Sequence, residues 1–350
     1  MKTNSSEDLY WIHALRVLAT FSVIFIHAAY KILCQYGSIS NFDWWIGNIY
    51  DGSVRFCVPM FLMISGALIL SKTYNSLGEY LRKRVLKILP PLLFWSIIYI
   101  VREVLRKSYH GEYMSFIEIL KFALIKLKSR ASVHLGFVYM IIGLYLFFPV
   151  IGKWINKCNK HEIKYFIGIW LLTVLVQQFS FINNLFPNIG LTYFSGFIGF
   201  PVLGYYLYKN TFADIRKENL ISVLMILTGV SITVFGTFVL TKRSGSFNED
   251  LYSYLTLNVI LVSTGVFLLF KNLVKFNTRT SSIILFFSKY SYGIYLIHIL
   301  VLLFLAKLGF SHAFVNPIIG IPITSVLCMI VSASIVFGIS KLPWGKYVSG

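Results

Sequence analysis

Apolar residues in this chain come in long blocks, not in alternation. Ten blocks of about 20 residues can be drawn, at 11–33, 48–70, 88–105, 134–152, 165–182, 192–208, 220–240, 251–270, 290–308 and 318–340. A helix needs about 20 apolar residues to cross a bilayer, whereas barrel strands would alternate apolar and polar positions. The pattern predicts an all-α polytopic membrane protein with about ten transmembrane helices. No fixed-period repeat and no polar linker divides it, so one domain is expected over 1–350, with its core at about 9–340 and no fused extracytoplasmic domain. One segment breaks the pattern. Residues 102–133 are rich in Lys and Arg, and within them FIEILKFALIKLK sets apolar residues at helical spacing with lysines between. That is an amphipathic helix, lying at the interface or dipping into the fold.

An even number of spans puts both termini on one side, and basic residues choose the side. With the termini cytoplasmic, nineteen of the 32 Lys and Arg fall in inner segments and eleven in outer ones; Arg16 and Arg55 lie within spans. The chain therefore reads as a multi-pass protein of the cytoplasmic membrane. The net charge of +19, which would suggest nucleic acid in a soluble protein, is accounted for by these loops. Hydrophobic residues make up 57% of the chain, and mean hydropathy is +0.73. No charged-then-apolar leader with a cleavage site precedes the first span, so that span is expected to be retained. Cys34, Cys57, Cys158 and Cys328 are scattered without CxxC spacing or neighbouring histidines, so no metal site is expected.

Ionisable residues inside spans are costly and point to function. Arg16 and His27 are eleven positions apart, which at about 100° per residue is within about 20° of three full turns. They share one face of the first helix, about 16 Å apart along its axis. Alone, Arg16 would snorkel to the interface and His27 would bond across helices; together they offer an anion-holding end and a titratable end on one stripe. The second span carries Asp51, Arg55, Pro59 and Ser65-Gly66. Asp51 is set to orient His27 or to pair with Arg55 one turn away, and Pro59 and Ser65-Gly66 predict a loosened helix there. A cytoplasmic run with Arg82, Arg84 and Lys87 leads to Pro90-Pro91 and a helix expected to start at the prolines. Such cations can hold phosphates, although a juxtamembrane basic run is more commonly a topology signal. His134 opens the fourth span and His298 follows SKYSYGIYLI in the ninth; both read as helix-contact or substrate-lining groups, and the tyrosines as interface belts.

These phrases, in this order, resemble acyltransferase family 3, integral-membrane O-acyltransferases of bacterial surface glycans. The resemblance rests on Arg16 with His27, on Val58 to Gly66, on Arg84, Lys87 and Pro90, on His134 to Tyr139 with Gly136 where the family has Trp, and on Ser291 to His298. It implies an O-acetyltransferase using acetyl-CoA as co-substrate, with no metal, acting on a glycan or lipid-linked sugar. Arg16, Arg82, Arg84 and Lys87 would then hold the donor's phosphates. His27, with Arg16 on its stripe, would carry catalysis as base or acyl carrier. Arg55, Ser65, Asp51, His134 and His298 would serve the substrate or the oxyanion. The alternative is a polysaccharide or small-molecule transporter whose Arg16 and His27 line the path.

Overall fold

The computed structural model describes residues 9–74, 76–179, 196–210 and 214–350, and these are helical, with short turns between. The helices are α1 (Tyr10–Leu33), α2 (Asn41–Ser53), α3 (Cys57–Ile69), α4 (Leu77–Tyr109), α5 (Phe116–Ser129), α6 (Gly136–Lys157) and α7 (Lys160–Gln178). They continue with α8 (Gly199–Lys209), α9 (Ile215–Ser244), α10 (Leu257–Leu273), α11 (Thr278–Lys307) and α12 (Pro317–Ser340). Among the described residues, eight helical stretches are long and apolar enough to cross a membrane. The other two expected spans correspond to α7 and α8. Lys160, Glu162 and Lys164 make the start of α7 polar, and α8 is short. Residues 180–182 and 192–195 of those expected spans lie outside the described residues.

Two local expectations are corrected. The second span is broken at Val54–Phe56 into α2 and α3, while Ser65 and Gly66 lie inside the unbroken α3. Pro59, at the third position of α3, sits where a helix has no partner for its N–H, so the break comes just before it. Pro90 and Pro91 do not start a helix either. They lie inside the 33-residue α4, which is capped at its N-terminus by Ser76, whose hydroxyl accepts from the Glu79 N–H. The missing N–H groups of Pro90 and Pro91 cost the helix its bonds to the Leu86 and Lys87 carbonyls, and at the next carbonyl, Ile88, the Tyr292 hydroxyl ties α4 to α11 at 3.0 Å.

The amphipathic helix of the 102–133 segment is α5, which has no buried residue and starts at a Ser115–Glu118 capping box. The Ser115 N–H and then its hydroxyl hold the Glu118 carboxyl below the usual range. Phe116, Ile117, Leu120, Leu124 and Ile125 are exposed along it.

The tightest crossing joins α3 to α8. A Cβ on Gly66 would lie 1.9 Å from the Pro201 carbonyl oxygen, and one on Gly204 would lie 2.2 Å from that of Met63. Backbones meet there because neither helix has a side chain in the way. Gly66→Ala is therefore expected to destabilise the protein by about 1–3 kcal/mol or more, since rigid backbone must shift. Gly143→Ala is the control, because its Cβ meets nothing within 4 Å. Thermal unfolding of both variants in detergent checks this: equal stability would mean that the crossing is loose.

Candidate functional site

Three helices bring the site together by matched register. Arg16 and His27 lie eleven residues apart on α1, and Ser288 and His298 lie ten apart on α11. The two helices pack along each other. The Arg16 Nη1 donates to the Ser288 Oγ at 3.3 Å, and one level along, the His27 and His298 rings are 5.1 Å apart. On α6 the order is reversed, with His134 in the turn before its start and Tyr145 further along. The His134 ring lies 4.9 Å from His298 and 6.3 Å from His27. One histidine level and one arginine level result, separated by about 16 Å of helix rise.

At the arginine level is a cavity of about 310 Å³ lined by Arg16, Lys83, Arg84, Lys87 and Lys289, with Tyr145, Tyr292 and Ser65. Five cationic side chains and no acidic one line it, with Lys83 also paired to the Glu79 carboxylate at 2.6 Å outside the cavity. Arg16 has no carboxylate within ion-pair reach among the described residues, only Ser288, which also meets the His13 Nδ1 at 2.8 Å. A guanidinium cannot shed its proton, so this cavity calls for an anion. Arg84 is braced from behind by the Tyr74 hydroxyl at 3.2 Å. Gly350 also lines the cavity, because residues 345–350 fold back between α4 and α11. The Trp95 Nε1 donates to the Val348 carbonyl at 3.1 Å, and Gly293 leaves room for the Ser349 carbonyl.

At the histidine level is a second cavity of about 310 Å³, lined by His27, His134, Cys57, Tyr254 and Arg130 among others. The two cavities share two lining residues, Phe137 and Tyr295. Their rings meet edge to face with centroids 5.6 Å apart and form the partition between the levels. Tyr295 also organises the histidines, since its hydroxyl donates to the His134 carbonyl and its own carbonyl accepts from the His298 Nδ1. His134 has both nitrogens engaged: Nε2 donates to the Leu296 carbonyl at 3.3 Å, and Nδ1 therefore accepts from the Ser132 hydroxyl at 3.1 Å. Among the described residues, no group of three or more His, Cys, Asp or Glu is placed to hold a metal ion.

Of the remaining expected site residues, only Ser65 lines one of these cavities. Asp51 forms an ion pair with Arg55, whose guanidinium sits 4.1 Å from the centre of the Tyr252 ring; neither lines either cavity. Of the two roles open to Asp51, the structure has the Arg55 pair. Ser65 faces the arginine level, 3.1 Å from the Tyr145 hydroxyl, and its backbone belongs to the α3 ladder, so no loosened turn offers free N–H groups there. Arg82 is exposed and outside the cationic cavity, about 200° around α4 from Arg84.

Several residues of the two cavities have no site role in the sequence reading. Among them are Lys83 and Lys289, which count there as topology charges, Tyr295, which reads as a belt aromatic, Phe137, and Arg130, which belongs to the basic segment. The signal of Arg130 is in the backbone, at φ 91°, where a non-glycine residue is rare, and its side chain fills the room above Gly136. Neither the curated proteins nor the solved structures gave a match to this chain. Its residues 9–337, nearly the whole length, match the acyltransferase domain family, and the chain belongs to that family.

Proposed function

We propose that this membrane acyltransferase moves an acetyl group from acetyl-CoA, bound from the cytoplasmic side, to a hydroxyl of a cell-surface or lipid-linked glycan. The observation that carries the reading is the cationic cavity around Arg16, which has no carboxylate partner among the described residues, one aromatic partition away from the His27 cavity. The 3′-phosphate and pyrophosphate of CoA need several cations, and Arg16, Lys83, Arg84, Lys87 and Lys289 supply them. The pantetheine arm runs along α1 and carries the thioester past Phe137 and Tyr295 to His27, about 16 Å further on.

His27 accepts the proton of the acceptor hydroxyl as its oxygen bonds to the acetyl carbon. The tetrahedral intermediate then expels the CoA sulfur, breaking the C–S bond, and the imidazolium returns the proton to the thiolate. In a covalent variant His27 itself takes the acetyl group and passes it to the hydroxyl, which splits the reaction in two. The glycan approaches the His27 cavity on the side of Arg130 and the turn before α6.

Arg16→Ala is expected to raise the KM for acetyl-CoA by about 10–100-fold, the loss of a charge-assisted hydrogen bond, with a much smaller change in kcat. Calorimetric titration of purified protein in nanodiscs with acetyl-CoA, followed by assay of CoA release, tests both the function and this variant. Saturable binding that Arg16→Ala weakens supports the reading. No binding by folded wild-type protein would overturn the donor and favour a saccharide path through the two cavities.

A further inference from the structure

Of the three histidines, His298 is the one that lines neither cavity, and it is fully buried. Its Nδ1 is 2.5 Å from the Tyr295 carbonyl. A carbonyl oxygen only accepts, so Nδ1 carries the proton and Nε2 holds a lone pair. That Nε2 is buried and has no hydrogen-bond partner among the described residues. An unpaired buried acceptor is costly, and such groups call for an explanation. The neighbouring rings are His134, whose two nitrogens are both engaged, and His27, whose ring lies 5.1 Å away, tilted by 40°. His27 makes no hydrogen bond to any described residue, although it faces the cavity where the chemistry is proposed. The carboxylate of Asp51 is held by Arg55, so it is not free to orient His27.

We infer that His298 is the positioning residue of His27. A small turn of the rings lets the His298 Nε2 accept the N–H of His27, which fixes His27 in one tautomer with its other nitrogen, the basic one, toward the cavity. When His27 takes the hydroxyl proton and becomes an imidazolium, its far N–H stays shared with Nε2, and the proton gained is the one returned to the thiolate. His298 thus does as a neutral ring what a carboxylate does for the histidine of a hydrolase triad. Tyr295 matters twice: its carbonyl sets the His298 tautomer and its side chain forms the partition. The inference rests on the proposed base role of His27 for its kinetic arm, but not for its spectroscopic arm.

The test uses the full chain in nanodiscs with 15N-labelled histidine. In wild type, the 15N shifts of His27, identified by their loss in His27→Gln, should show one tautomer, with a through-hydrogen-bond coupling to the His298 Nε2. His298→Phe keeps a ring and removes the acceptor; His27 should then become a mixture of tautomers. CoA release from acetyl-CoA should fall about 100-fold in kcat in His298→Phe, with the KM for acetyl-CoA within about twofold, as for loss of a group acting through the base. His298→Gln, whose side-chain oxygen can accept in place of Nε2, should recover to within about tenfold of wild type. Mixed His27 tautomers in wild type, or an unchanged single tautomer in His298→Phe, would overturn the assignment. The wild-type spectrum decides even if a variant fails to insert. If the wild type shows the coupling yet releases no CoA, the positioning holds and the acetyl-CoA reading is what fails.

Discussion

His27→Ala is expected to lower acetyl transfer by about 10²–10⁴-fold, the range that a positioned general base supplies. The protein should still insert and fold. His27 is only partly buried and makes no hydrogen bond to a described residue, so removing its ring orphans no partner beyond the His298 Nε2, which is already unpaired. Release of CoA from labelled acetyl-CoA, with a monodisperse chromatographic profile and unchanged donor binding, is the measurement. Added imidazole should restore part of the rate, since the cavity of about 310 Å³ has room for it beside an acceptor hydroxyl. The rescue separates base from acyl carrier only in its time course: a base is replaced at once, whereas a carrier shows a burst of CoA in wild type that the rescued variant lacks. A variant that keeps wild-type transfer would remove His27 from the mechanism altogether.

The largest stability effect is expected at Asp51. Its carboxylate is fully buried against Arg55, in a pocket closed by the Tyr252 ring. Tyr252 is itself tied to the Asn48 side chain at 2.5 Å, and Asn48 to the Val234 carbonyl at 2.9 Å, so the pair sits in a rigid joint between α2 and α9. Asp51→Ala leaves a buried guanidinium without its counter-charge, which typically costs about 3–5 kcal/mol. Removing both charges should be far milder. Asp51→Leu with Arg55→Met is expected to recover most of the stability, because the desolvation of two ions disappears together with their attraction. Thermal unfolding of the single and double variants in one detergent measures this. A single variant as stable as wild type would show that water or lipid headgroups reach Arg55. Transfer in the folded double variant also checks whether this pair has any part in chemistry.

The membrane makes some of this molecule easy to read from sequence. A helix must carry a contiguous apolar stretch to span lipid, so α1, α4, α6 and α9 to α12 stand out as blocks. Arg16 and His27 could be assigned to one stripe because helical geometry alone relates them. What depends on a second helix could not be read. That Ser288 lies beside Arg16 and His298 beside His27 is a matter of how α1 and α11 slide against each other, and no local pattern records it. Lys83 and Arg82 are neighbours in sequence, yet only Lys83 lines the cavity. Phe137 and Tyr295 have the composition of any packed helix, so their place between the two cavities emerged only from the assembled bundle. The prolines of α4 mislead for a related reason, since the contact that anchors the helix beside them, the Tyr292 hydroxyl on the Ile88 carbonyl, comes from about 200 residues on.

The partition made by Phe137 and Tyr295 has an electrical consequence. If both cavities fill with water, a voltage across the membrane falls mainly over the apolar layer that the two rings make between them. Moving one elementary charge through it against 100 mV takes about 2.3 kcal/mol, whereas a neutral group crosses without regard to the field. An acetyl group is neutral. On the proposed reading, a donor whose phosphates stay among the cations of one cavity, while only its uncharged acyl end reaches past the rings, would deliver cargo across an energised membrane without spending or short-circuiting the potential.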